Sequence, residues 1–132
     1  MTKLTELDLT VLSAQALFKV LAIHLLKQGR KSMQSKSCRY RAPDGCMCAA
    51  GPAIPDNKYK SGMEGQNILH VNAVYNLGYS ALQEDAMYYL QIVHDKSRVD
   101  EWQRKIDEYT ITKGWPLIRV ETEEKVNEPV QL

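Results

Sequence analysis

Three cysteines, Cys38, Cys46 and Cys48, stand beside Arg39, Tyr40 and Arg41 and ahead of an Ile54-Pro55-Asp56 run. Three chemistries fit these residue types. Cys46 and Cys48, one residue apart, would suit zinc if an imidazole joined them. A strong zinc signature has two such pairs, whereas this chain has one, with His24, His70 and His94 scattered. A cysteine enzyme would use Cys48 or Cys46 with a histidine, and it needs a base or a cation within reach of the thiol. An anion site would use the planar forks of Arg39 and Arg41 on phosphate or carboxylate, with Lys58 adding charge, Tyr59 stacking and Glu64 supporting. The glycines form no G-x-x-x-x-G-K phosphate loop, and no motif implies a cofactor or assigns a metal.

Charge favours the anion reading. The net charge is +1, but residues 27–60 carry eight Lys or Arg against Asp44 and Asp56. A basic segment of this kind marks where an anionic partner lands. The small overall charge argues against general nucleic-acid binding, which usually needs a more basic domain. A host protein or a small phosphorylated, nucleotide-like ligand fits better. Three cysteines without disulfide density point to a reducing, cytoplasmic setting. The most apolar stretch, 14–26, is broken by Lys19 and His24 and is too short to span a membrane.

The elements that must hold these residues follow from periodicity and turn chemistry. Leu4, Leu7, Val11, Ala14, Phe18, Leu21 and Leu25 repeat at three-four spacing and predict a long first helix. The same repeat permits a helix–helix homodimer seam. Residues 30–37 read as a polar loop. Ala42-Pro43-Asp44-Gly45 predicts a type I turn followed by a left-handed glycine, hence a hairpin near 37–50 with strands at 37–42 and 46–50. In that register Tyr40 faces Cys48 and Cys38 faces Ala50. Strand alternation then puts the cysteines, Tyr40, Ala42 and Ala50 inward, and Arg39, Arg41, Met47 and Ala49 outward. Further helices are expected from Met63 to a stop at Gly78, from a Ser80–Gln83 capping box, and from a Ser97 cap to Gly114. His94 and Asp95 are neighbours on such a helix, where adjacent side chains diverge, so Asp95 reads as an end cap. The expected whole is one α+β domain over 1–117, mainly helical with four helices and one small antiparallel hairpin, followed by an acidic tail, 118–132.

The stretch Cys38, Tyr40, Arg41, Gly45, Cys48, Ala49, Gly51, Ile54, Pro55, Asp56, Tyr59, Glu64, Gly65 resembles a pattern found in small phage- and prophage-encoded proteins of uncharacterised function. A later Leu90, Gln91, His94, Asp95, then Trp102, is similar too. The resemblance spans about 38–102 and assigns no catalytic residue. It implies a setting in the bacterial host cytoplasm, where such proteins counter host defences or redirect host machinery. It also implies a structural use of the motif, with Glu64 reaching back to Arg39 or Arg41 and with Ile54 and Tyr59 anchoring the crossing. The expected function is therefore non-catalytic binding through the basic hairpin region. The cysteine enzyme and a small zinc-stabilised interaction module are the alternatives.

Overall fold

A computed structural model describes residues 3–120. It has four helices, α1 (Ala14–Gln28), α2 (Ile68–Tyr75), α3 (Ala81–Lys96) and α4 (Trp102–Lys113), and one two-stranded antiparallel sheet, β1 (Met33–Gln34) with β2 (Ser37–Cys38). The class is mainly helical α+β, as the periodicity predicts. None of the helices among the described residues is long and apolar enough to cross a membrane.

The first helix is shorter than its repeat suggests. Leu4–Glu6 and Leu9–Val11 are separate 3-10 turns, and α1 begins only after Ser13, whose side chain accepts from the Ala16 amide. An N-cap offering that acceptor starts a helix more strongly than apolar spacing extends one backward. Leu7 and Val11 are accordingly exposed. Phe18, Leu21 and Leu25 are fully buried against the rest of the chain, so the seam suited to a homodimer is used inside the domain. Leu17, Leu21 and Leu25 share the core with Met87, Leu90 and Val93 of α3 and Ile106 of α4. Tyr109 stacks between Phe18, centroids 4.6 Å apart, and Tyr89, 4.4 Å apart.

The other helix ends also moved. Asn67 caps α2, accepting from the His70 amide, and Asn76 ends it in the left-handed conformation, before Gly78 is reached. Asn72 then clasps Tyr79 in both directions: its side-chain amide donates to the Tyr79 carbonyl, and its side-chain oxygen accepts from the Tyr79 amide. The Ser80–Gln83 capping box is present, and Gly114 ends α4 at φ 75°. Ser97 closes α3 instead of opening α4, which is entered through a 3-10 turn, Val99–Glu101. Ile118 is buried in the core, so the packed body extends past 117. Residues 121–132 of the predicted tail lie outside the described residues.

The predicted hairpin is half right. Gly45 has φ 92°, its amide donates to the Ala42 carbonyl, and the Ala42 amide donates to the Cys46 carbonyl at 2.9 Å. That is the expected turn. Below it the ladder slips by one residue: the Cys48 amide donates to Arg39, not to Tyr40. The reason lies in Tyr40: its amide, which the expected register needs for the Cys48 carbonyl, donates instead to the Glu64 carboxylate at 2.8 Å, while the Arg39 amide donates to the Ser32 carbonyl at 2.9 Å and continues the β1–β2 pairing. Residues 33–38, read as loop and strand start, are thus the regular sheet, and the 46–50 arm curls into a 3-10 turn at Gly51–Ala53. The inward set is as expected: Tyr40, Ala42, Cys46, Cys48 and Ala50 are buried and Cys38 is half-buried. Ala49, expected outward by alternation, is fully buried instead, because the 46–50 arm leaves the extended form as it curls into the Gly51–Ala53 turn.

Gly51 is where the chain crosses itself most closely. A Cβ there would lie 2.6 Å from the Tyr40 carbonyl oxygen and 2.8 Å from the Met47 Cβ. Neither is a flexible side-chain end, so the backbone must move. Gly51→Ala is expected to destabilise the protein by about 2 kcal/mol, in the range of overpacked sites, as read by denaturant unfolding; a midpoint equal to that of the parent would contradict the crossing.

Candidate functional site

Glu64 follows the 3-10 turn Ser61–Met63 and points its carboxylate, 7% exposed, at the backbone of the 40–41 segment. One oxygen accepts from the Tyr40 amide at 2.8 Å, the other from the Arg41 amide at 3.1 Å and from the Tyr59 hydroxyl. The Arg39 Nε lies 3.6 Å away, an ion pair beyond hydrogen-bonding distance. Burial, and then the Glu64 carboxylate, push the Tyr59 phenol up. Arg41 turns away from Glu64: it donates to the Ile54 carbonyl at 2.9 Å, pairs with Asp56 at 3.1 Å and lies over the Tyr59 ring at 4.3 Å.

Four of the five residues predicted to bind a ligand, Arg39, Arg41, Tyr59 and Glu64, therefore meet in one place. They meet to satisfy one another. The two guanidinium groups are not an outward basic edge; their side chains are 29% and 26% exposed. A buried carboxylate must recruit donors, and the nearest were the arginine segment's own amides. Lys58 is elsewhere, donating to the Asn76 carbonyl at 3.0 Å.

The clamp has a second product. Because Glu64 is held against Tyr40, the segment that follows it lies beside β2, and the Tyr40 hydroxyl donates to the Gln66 carbonyl at 2.6 Å. Opposite stands one face of α3. Between them opens a cleft of about 260 Å³ lined by Cys38, Tyr40, Gly65, Gln66, Asn67, Tyr88, Gln91, Ile92, Asp95 and Lys96. The α3 residues recur at spacings of three and four, the pattern of one helical face. The two separated parts of the sequence pattern thus converge here, Cys38 and Tyr40 with Gln91 and Asp95.

At the inner end of the cleft, donor atoms of Cys38, His94 and Asp95 lie within 4.8 Å of one another. His94 is fully buried, stacked on Trp102 with centroids 5.7 Å apart. Its Nε2 accepts from the Ser32 amide at 2.9 Å, which leaves the ring proton on Nδ1, 2.7 Å from an Asp95 oxygen. The neighbours on α3 do touch, contrary to the helical expectation. Both polar atoms sit close to the backbone, and the short Asp95 side chain bends toward the ring. Gln91 braces the same region, accepting from the Ala50 amide and donating to the Cys48 sulfur, each at 3.2 Å.

Sulfur chemistry is placed differently from its sequence reading. Cys48 is fully buried, and burial pushes its thiol up to about 12. Burial also raises Cys46. The cysteine that meets a histidine is Cys38, whose thiol is pushed up to about 11, first by burial and then by the Asp95 carboxylate. With Nε2 occupied by Ser32 and Nδ1 carrying a proton, His94 has no free lone pair to take the Cys38 proton. Cys38, His94, Asp95, Tyr88 and Lys96 were not brought together by the sequence reading. Its one available signal was the His94-Asp95 pair, and nothing local links that pair to Cys38.

Two outcomes follow. Glu64→Gln keeps the shape but turns an amide toward donors, and should cost about 3 kcal/mol, the scale for breaking a buried, hydrogen-bonded charge; a loss within 0.5 kcal/mol in chemical unfolding would contradict the clamp. In timed alkylation of the native protein near pH 7, Cys38 should react first and more slowly than a free thiol, with Cys46 and Cys48 labelled only on unfolding. A thiol reacting faster than free cysteine would restore the enzyme reading.

In comparisons with known proteins, no family model matches the chain, and no curated protein or solved structure matches it.

Proposed function

We propose that the protein is a non-catalytic phage accessory protein that binds a small anionic, nucleotide-like ligand, and that the cleft beside Cys38 and Tyr40 receives it. The cleft's lining carries this reading. It joins the half-exposed Tyr88 ring to the polar side chains of Gln66 and Asn67 and to the Lys96 ammonium. A ring can stack on Tyr88, the polar groups can address its edge, and Lys96 can meet a phosphate. Lys31 of the basic segment is near enough to Cys38 to act on its thiol, so it adds positive charge to the same end. About 260 Å³ is close to the lower bound of small-ligand pockets, roughly 300 Å³. It suits a mononucleotide fragment better than a dinucleotide. In an infected cell, such binding would withdraw a phosphorylated signal from the host and so counter its defence.

A host protein is the second reading. What favours it is an open, mostly apolar groove along α1, lined by Leu4, Val20, Ile23 and Met47 and edged by Lys27.

The deciding experiment is calorimetry of the full chain with a panel of nucleoside mono- and diphosphates. A member of the panel should bind, and Tyr88→Ala should weaken it by about 1–3 kcal/mol, the worth of one stacked base. Lys96→Glu should weaken it further at low salt, while Arg104→Glu, exposed on α4 and outside the cleft lining, should change nothing. Equal affinity in the parent, Tyr88→Ala and Lys96→Glu proteins would reject the cleft. No binding across the panel, with a host protein retained by the parent and lost on Ile23→Asp, would move the function to the groove.

A further inference from the structure

We infer that the sulfur-lined end of the cleft is a binding site for a thiophilic divalent cation, of the zinc or cadmium class, with Cys38, Asp95 and Met33 as its ligands. The Cys38 sulfur and an Asp95 oxygen lie within 4.8 Å of each other, a span that one ion bonded to both at about 2.0–2.3 Å can close with a small side-chain movement. The Met33 thioether adds an independent observation, 3.5 Å from the Cys38 sulfur across the β1–β2 pair. Two sulfurs and a carboxylate oxygen favour a soft or borderline ion over magnesium or calcium, which take oxygen alone.

His94 belongs to this site as a support. Ligation through Nδ1 would move the ring proton to Nε2, directly against the Ser32 N–H that now donates to it. The Ser32 contact therefore fixes His94 as the donor to Asp95, the arrangement in which a second residue orients a ligating carboxylate. A fourth position faces the cleft, where water or a ligand atom completes the coordination. On binding, the Cys38 S–H bond breaks, its electron pair forms the sulfur–metal bond, and the proton leaves to solvent. No oxidation occurs. Thiolate and carboxylate together match the charge of a divalent ion, and Lys96, which also lines the cleft, supplies the opposing positive charge that limits affinity. None of this depends on a nucleotide entering the cleft.

The test uses the full chain and cadmium ion alone, read by the ultraviolet thiolate-to-cadmium charge-transfer band. A band saturating at one equivalent is expected, absent in Cys38→Ser and intact in Cys46→Ser. Asp95→Asn and Met33→Leu, both at partly exposed positions, should each raise the dissociation constant about tenfold or more. Circular dichroism confirms that each variant is folded; a variant that is not is replaced by Asp95→Ser or Met33→Ala. No saturable band, a band that survives Cys38→Ser, or an unchanged constant in both the Asp95 and Met33 variants would overturn the site.

Discussion

The Glu64 carboxylate is the constraint on which the rest depends. It is nearly excluded from water, so its charge must be met by donors from the protein. Two of those donors are consecutive backbone amides, at Tyr40 and Arg41, which no substitution other than proline removes. The consequence is geometric: the residues after Glu64 are pinned beside β2, and α3 closes the other side. The clamp and the cleft are one construction. The arginines that promised an anion site serve as its frame, Arg39 against Glu64 and Arg41 across Ile54, Asp56 and Tyr59.

The cleft's chemistry comes from α3. Its inward groups tie separate segments to one helix: Gln91 holds 48–50, His94 holds Ser32, and Asp95 meets Cys38. These ties explain why polar residues occupy a face that periodicity alone would fill with leucine. Each buried donor or acceptor has a named partner there, which is what makes a polar interior tolerable. On the outer part of the same face Tyr88, Ile92 and Lys96 are exposed, and the Tyr88 hydroxyl and Lys96 ammonium bond to none of the described residues.

Local chemistry carried much of the fold. The Ser80–Gln83 box, the Gly114 stop and the Pro43-Asp44-Gly45 turn are each short-range devices, and each is present. The errors arose where a local preference met a stronger competitor. Ser13 took the helix start from Leu4, and Asn76 took the helix end from Gly78. Tyr40 could not pair as the hairpin required because Glu64 already held its amide. The inward positions Tyr40, Ala42 and Cys48 are still buried, but Ala49 is buried too and Arg39 and Arg41 are only partly exposed, so the outward set did not form. The candidate site was legible in composition but not in assembly. Arg39, Arg41, Tyr59 and Glu64 share one place in the fold, yet their mutual neutralisation is a matter of distance that spacing does not encode. Cys38 and Asp95 stand on different elements, and only the closed fold makes them neighbours.

The tie between Ser32 and His94 spans 62 residues, that between Ala50 and Gln91 spans 41, and the Glu64 clamp on Tyr40 spans 24. Contacts of such separation form late, since the entropy of closing a long loop precedes their reward. During synthesis the ribosome therefore releases the cysteine-rich segment well before α3 exists to cover it. A nascent chain that ends before residue 81 holds α1, whose His24 and Gln28 meet the Met47 backbone, but lacks the Gln91 side chain that meets the Ala50 amide and the Cys48 sulfur. The sulfur-rich segment is thus made long before the helix that supplies its polar partners.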